Sequence, residues 1–235
     1  MSWIRFHTCV RMCAGAAVLL LFVSGLLAAP AAGQQKAIDL SLFGGISLGN
    51  LDVAPEPDPS FENLMRFGGG AGLCFNIRPG LSLEIEGLYI EKGACREVND
   101  IEYETHLDYI AVSPMLRIAP SIRHSGFYLL AGAEYAFLLE ASSESGDDDL
   151  AGASTTKPKV LDIKSSLNDT DFGVCAGLGV QIGGEGQVAF TVEGRYVLGL
   201  TNILDTGIED DHLPEDSIDP EWKTQGIYVF AGLRL

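Results

Sequence analysis

Residues 187–203 read QVAFTVEGRYVLGLTNI, and the fold turns on which side of that stretch faces inward. Val188, Phe190, Val192, Tyr196, Leu198 and Leu200 share one parity, interrupted only by Gly194, while Glu193 and Arg195 fall on the other. Period-two alternation marks a strand with two unlike faces. If the apolar face turns inward, the chain is a soluble barrel that stores a ligand. If it turns outward, the surrounding solvent is lipid.

Similar runs recur on both sides of this one. The alternation predicts eight strands: Lys36–Gly49, Met65–Arg78, Leu81–Lys92, Glu104–Ala119, Gly126–Glu140, Thr170–Gly183, Gln187–Leu200 and Gln225–Leu235. Each is long enough for a tilted membrane strand of ~9–11 residues. The connections alternate in length. RPGLS, APSIRHSG and GGEGQ are short; the stretch before Met65, residues 93–103, residues 141–169 and residues 201–224 are longer and hold most of the acids. Short turns at one end and long loops at the other are the layout of an outer-membrane meander.

The identity of the polar-face residues decides between the two barrels. Within Met65–Arg78 one parity reads Arg66, Gly68, Gly70, Gly72, Cys74, Asn76, Arg78, against Phe67, Ala71, Leu73, Phe75 and Ile77 on the other. Thr170–Gly183 sets Gly173, Cys175, Gly177, Gly179 and Gln181 against Phe172, Val174, Ala176, Leu178, Val180 and Ile182. A water-facing strand carries Lys, Glu and Thr. Glycine and cysteine with a few charges suit a crowded interior in which small residues make room for long polar ones. The fold class expected is therefore all-β, an eight-stranded antiparallel up-and-down transmembrane barrel with a plugged polar lumen. Glu84, Glu86, Glu134 and Glu193 are expected inside with Arg78, Arg117, Arg195 and Arg234, near balance in sign, because charges withdrawn from water must be paired. Eight strands leave an interior just wide enough for side chains to fill.

The first 33 residues stand outside this pattern. Arg5 and Arg11, an apolar run at 14–29 and the small residues Ala31, Ala32 and Gly33 read as a Sec-type signal peptide cleaved after Gly33, leaving 34–235 as the barrel domain. Removing Arg5 and Arg11 from the 15 Lys and Arg leaves 13 bases against 32 acids, a net −19. That balance argues against nucleic acid, whose phosphates require Lys and Arg. Cys74, Cys95 and Cys175 remain, with no CxxC, so neither a disulfide framework nor a zinc site is expected.

The ordered set GGISLGNL, LSLEIEGLYIEKGA, LDYIAVSPMLRI, DFGVCAGLGVQI, GRYVLGLTNI and GIYVFAGLRL resembles the PorT-type small outer-membrane β-barrel proteins across nearly the whole mature chain. The resemblance implies residence in the outer membrane of a Gram-negative bacterium. It supplies no catalytic motif.

No catalytic, cofactor or metal residues are assigned. His106 near a loop end invites a lipid-modifying reading, but the places two residues away are Glu104 and Asp108, not a serine nucleophile. Asp147–Asp149 and Glu209–Asp219 are hard oxygen ligands for weak divalent binding, without the EF-hand order. GGGAG at 68–72 lacks the Lys-Ser/Thr of a phosphate loop and reads as strand interior. Tyr89, Tyr128, Tyr135, Tyr196 and Trp222 are candidates for the interfacial aromatic girdles. Aqueous porins need 16–18 strands, so the expectation is a structural or interaction protein. Its environment is outer-membrane lipid and lipopolysaccharide, and any protein partner is unspecified.

Sidedness follows from the strand number. With the N-terminus in the periplasm and an even count, every longer connection faces outward. In a background with Cys74, Cys95 and Cys175 changed to serine, an impermeant maleimide on intact cells should label Asp210→Cys. Glu185→Cys should be spared until the membrane is permeabilised. Labelling of position 185 alone would invert the barrel.

Overall fold

The computed structural model describes residues 37–98, 101–119, 126–145, 159–183, 188–205 and 221–235. The expected signal peptide and the acidic stretches Asp147–Asp149 and Glu209–Asp219 lie outside the described residues. Nine strands are described: β1 Ile38–Ala54, β2 Glu62–Arg78, β3 Leu81–Val98, β4 Ile101–Ile118, β5 Gly126–Ser145, β6 Lys159–Asp162, β7 Thr170–Gly183, β8 Ala189–Gly199 and β9 Glu221–Arg234. Eight of them pair antiparallel in chain order, and β1 closes the ring on β9 from Ser41↔Arg234 to Ala54↔Glu221. The short β6 adds to the edge of β5 at Ser142–Ser145, beyond the point where β7 takes over. The result is an eight-stranded up-and-down barrel.

At the β2–β3 turn, Pro79 and Gly80 reverse the chain; Gly80 sits at φ 81°, which only glycine adopts without strain. Gly183, at φ 86°, begins the reversal after β7 for the same reason.

The opening stretch points as expected. Glu193 and Arg195 are 8% and 4% exposed, whereas Val192 is 42% exposed and Val188, Phe190, Tyr196, Leu198 and Leu200 are exposed with it. The same division holds round the ring: Leu73 and Ile77, Ile85, Val112 and Leu116, Leu129 and Phe137, Leu178, and Val229 and Leu233 all face out. A continuous exposed apolar surface of this extent demands an apolar solvent.

The apolar band has a sharp upper edge. Outward positions change from Tyr89 to Glu91 on β3, from Ile110 to Asp108 on β4, and from Ile227 to Gln225 on β9. On β4 the band spans Ile110–Ile118, nine residues, the length a tilted strand needs to cross. The strands continue well beyond it, and here two expectations are corrected. Residues 93–103, expected as a loop, are almost wholly strand, since β3 runs to Val98 and β4 starts at Ile101. Above the band the outer face turns polar while the inner one keeps Ala94, Thr105 and Leu107 buried, and residues 93–98 carry no clear period of two. Strand β6, within the expected long loop, was missed for its brevity.

Tyr89, Tyr135 and Tyr196 lie on the outer face, and the Tyr89 hydroxyl donates to Asp108 at 2.8 Å, just above the band. Tyr128 and Trp222 do not join that girdle. Parity turns Tyr128 inward, where it is fully buried, and Trp222 packs edge-on against Phe61 at 5.9 Å.

Pairing between β4 and β5 lapses at Ser113 and Pro114, between Val112↔Tyr135 and Met115↔Gly132. Proline has no N–H to give to the ladder.

Val192→Arg, on the outer face, should cost ~2–4 kcal/mol near the bilayer midplane, read from urea unfolding of barrels folded into vesicles. Thr191→Arg points inward and should be tolerated better. The reverse ranking would exchange inside and outside.

Candidate functional site: the barrel lumen

Inward-facing positions on all eight ring strands contribute to three tiers of polar contacts. In the tier nearest the short turns, the Arg234 guanidinium donates to Asp39 at 3.0 and 3.1 Å and to Cys74 Sγ at 2.6 Å. Asn76 also donates to Asp39, and Ser82 to Asn76. Arg117 donates to Gln181 at 2.7 Å, stands 3.9 Å from Glu84, and lies 3.5 Å from the centroid of the Tyr128 ring.

The middle tier is built on Arg195. Its two terminal nitrogens donate to the two Glu86 oxygens at 2.5 and 2.7 Å, a bidentate pair. Arg195 also bonds Glu193, whose second oxygen accepts the Tyr128 hydroxyl at 2.9 Å. Phe43 and Phe230 flank the guanidinium at 5.5 and 5.4 Å. Strands β3 and β8 stand four apart in either direction round the ring, so Arg195 and Glu86 meet across its full diameter.

Nearer the loops, Lys92 Nζ donates to Asp171 at 3.1 Å and to Thr224 at 3.3 Å, and pairs with Glu134 at 3.0 Å. Thr224 donates to Asp171 at 2.6 Å, and Tyr228 donates to Glu134 at 3.3 Å. Above this tier the interior becomes apolar. Leu51, Leu107, Leu138, Leu167 and Ile203 are buried, with Phe61 and Trp222 packed on them. Leu167 bridges Leu204, and the Asn168 side chain donates to the carbonyls of Asn202 and Leu204 at 2.9 Å. The bases of the two longest loops are thereby tied to each other.

Glycines create the space these side chains occupy. A Cβ on Gly72 would stand 2.8 Å from Glu86 Cγ, one on Gly177 3.0 Å from Arg195 Cγ, and one on Gly179 2.3 Å from Tyr128 Cζ.

Seven of the eight expected charged residues are buried inside: Glu84, Glu86, Arg117, Glu134, Glu193, Arg195 and Arg234. Arg78 is the correction. As the last residue of β2, beside the Pro79–Gly80 turn, it is exposed, because the strand ends before its guanidinium can be enclosed. Lys92, Asp171 and Asp39 were missed, although Lys92 shares parity with Glu84 and Glu86, and Asp171 with Gly173. With them, the described tiers hold six acids (Asp39, Glu84, Glu86, Glu134, Asp171, Glu193) and four bases (Lys92, Arg117, Arg195, Arg234), rather than equal numbers.

His106 lies on the outer wall above the band. It contacts Arg66, and its Nε2 stands 3.2 Å from Glu104 and 3.7 Å from Glu144. Ser142, on the neighbouring strand and so invisible to spacing along β4, is its register partner across β4–β5. Among the described residues no group of three or more His, Cys, Asp and Glu side chains is arranged to hold a metal ion. None of Cys74, Cys95 and Cys175 forms a disulfide.

Residues 31–205 match the model of a family described as the outer membrane protein beta-barrel domain. No curated protein matches the chain by sequence. Among solved structures, the outer membrane protein OprG from Pseudomonas aeruginosa is 12% identical, over 86% of this chain and 97% of its own, at a TM-score of 0.46. The attachment invasion locus protein Ail of Yersinia pestis is 11% identical, over 85% and 100%, at 0.40. The outer membrane protease OmpT from Escherichia coli is 10% identical, over 87% and 98%, at 0.42.

Arg195→Leu leaves Glu86 and Glu193 buried without their cation and should destabilise the barrel by ~3–5 kcal/mol. Arg78→Ala, at an exposed rim position, should stay within ~0.5 kcal/mol. Equal effects in urea unfolding would mean that the middle tier contributes nothing particular.

Proposed function

The chain belongs to the outer membrane protein β-barrel family, and we propose that it serves there as a structural or interaction protein of PorT type, its lumen plugged against solute flow. It reaches the outer membrane of a Gram-negative cell after Sec-type cleavage and presents its long acidic loops outward. The observation that carries this reading is the Arg195–Glu86 pair spanning the barrel's diameter. A solute crossing the lumen would have to break a buried bidentate ion pair, and then pass the Lys92 tier and the apolar cap above it. A diffusion pore keeps its centre wet; this interior is occupied by its own side chains. The surroundings are lipid and lipopolysaccharide, with divalent cations bridging loosely at Asp147–Asp149 and Glu209–Asp219. No enzymatic activity and no cofactor are assigned.

One observation favours a second reading. Ser142 stands opposite His106, with Glu104 and Glu144 beside the imidazole, on the wall where lipid ester groups would lie. Against it, both ring nitrogens are engaged by Arg66 and the acids, not by the serine.

Purified barrels in planar bilayers should show no steady, ion-selective current, and alanine at both Glu193 and Arg195 should leak more than the wild type. Large stable currents from the wild type would end the plugged-lumen reading. Release of fatty acid from phospholipid vesicles, abolished by Ser142→Ala, would replace it with the hydrolase.

A further inference from the structure

At the upper edge of the apolar band, β1, β9 and the segment 55–61 enclose a half-open cleft of about 200 Å³. Its walls include Asn50, Asp52, Glu56, Ser60, Phe61 and Gln225. The cleft is smaller than the ~300–1,000 Å³ of drug-sized pockets, so it suits a single small ring.

The hydrogen bonds already made there define what is left to offer. Asn50 Oδ1 accepts the Leu51 N–H at 2.7 Å, and Gln225 Oε1 accepts the Tyr196 hydroxyl at 3.0 Å. Each amide is thereby oriented by its oxygen, leaving its NH2 as the donor. Asp52 and Glu56 are exposed carboxylates and can only accept. The Ser60 hydroxyl does either. Phe61 closes the cleft at its base, held by Trp222 at 5.9 Å and by Arg96 at 5.9 Å, and the open lining is mostly polar.

Two amide donors, two carboxylate acceptors and a hydroxyl match a ring bearing adjacent hydroxyls, each of which both donates and accepts. We propose that this cleft binds a neutral sugar ring. An anionic sugar is refused, because Asp52 and Glu56 would repel it and the nearby Lys223 is already paired with Glu221 at 2.6 Å. Asn50 and Gln225 are the first polar outward positions above Leu48 and Ile227. The cleft therefore opens where acyl chains give way to head groups. A membrane glycolipid and a soluble glycan both carry the required chemistry.

The test uses the full mature barrel in a sugar-free detergent such as an amine oxide. Removal of the signal segment leaves Trp222 as its single tryptophan, so its emission reports on the base of the cleft at Phe61 alongside saturation-transfer NMR. Methyl glucoside, galactoside and mannoside are titrated beside glucose 6-phosphate. At least one neutral glycoside should bind saturably at millimolar concentration, and the phosphate ester should not. Asp52→Asn with Glu56→Gln, both at exposed rim positions, should weaken binding about tenfold. Competition by lipopolysaccharide bearing a neutral core sugar identifies the membrane source, and its failure to compete identifies a soluble one. Absence of saturable binding by every neutral glycoside, equal binding of the phosphate ester, or unchanged affinity in the double variant would overturn the proposal.

Discussion

Inside hydrocarbon there is no water to satisfy a backbone N–H or C=O, so each strand must find a partner on both sides. The pairing of β1 with β9 meets that demand by removing the two edges an open sheet would leave. Much else in the molecule depends on this closure. Because the ring shuts, successive side chains are sorted into a lumen and a lipid face, and the alternation at 187–203 acquires its meaning. Within the band, the β4–β5 ladder lapses at Pro114. There one residue without an N–H interrupts the β4–β5 ladder, and pairing resumes in register at Met115↔Gly132.

Closure also creates the electrostatic problem that the interior solves. Charges drawn out of water are costly unless matched in geometry as well as sign. Arg195 engages both oxygens of Glu86 and reaches Glu193 as well; Lys92 serves Glu134 and Asp171 together. In each of these tiers one cation is shared by two carboxylates, which also accept the hydroxyls of Tyr128, Thr224 and Tyr228. Glycine at the register partners on the neighbouring strands is the steric counterpart of this arrangement, since Glu86, Arg195 and Tyr128 lie over the bare backbone of Gly72, Gly177 and Gly179.

How far the sequence could be read depended on contrast between faces. Within the band, lipid on one side and a packed polar interior on the other gave every strand an unmistakable period of two. The assignment of Glu84, Glu86, Glu193 and Arg195 to the lumen needed nothing more. Above the band the outer face becomes polar and the inner one apolar, and on β3 the small and charged residues 93–98 blur the period, so that stretch looks like loop. Arg78 and Lys92 illustrate the other limit. Parity names the side a residue points to but not its depth, so the terminal arginine was placed inside while the enclosed lysine was left out. Ser142 marks a third limit, because proximity across a ladder depends on register, which no single strand reveals.

The reach of the strands past the lipid has an electrostatic consequence. Strand β3 from Glu91 to Val98 and β4 from Asp108 back to Ile101 each continue for eight residues beyond the apolar band. At ~3.3 Å per residue and the usual barrel tilt, this raises the β3–β4 side of the rim by about 20 Å. The Debye length at physiological ionic strength is ~8 Å. Carboxylates at the top of this chimney therefore stand more than two screening lengths from the anionic head groups below. Their field reaches an approaching molecule without pushing against the membrane that holds the protein, so the acidity of the rim can be tuned without disturbing the anchor.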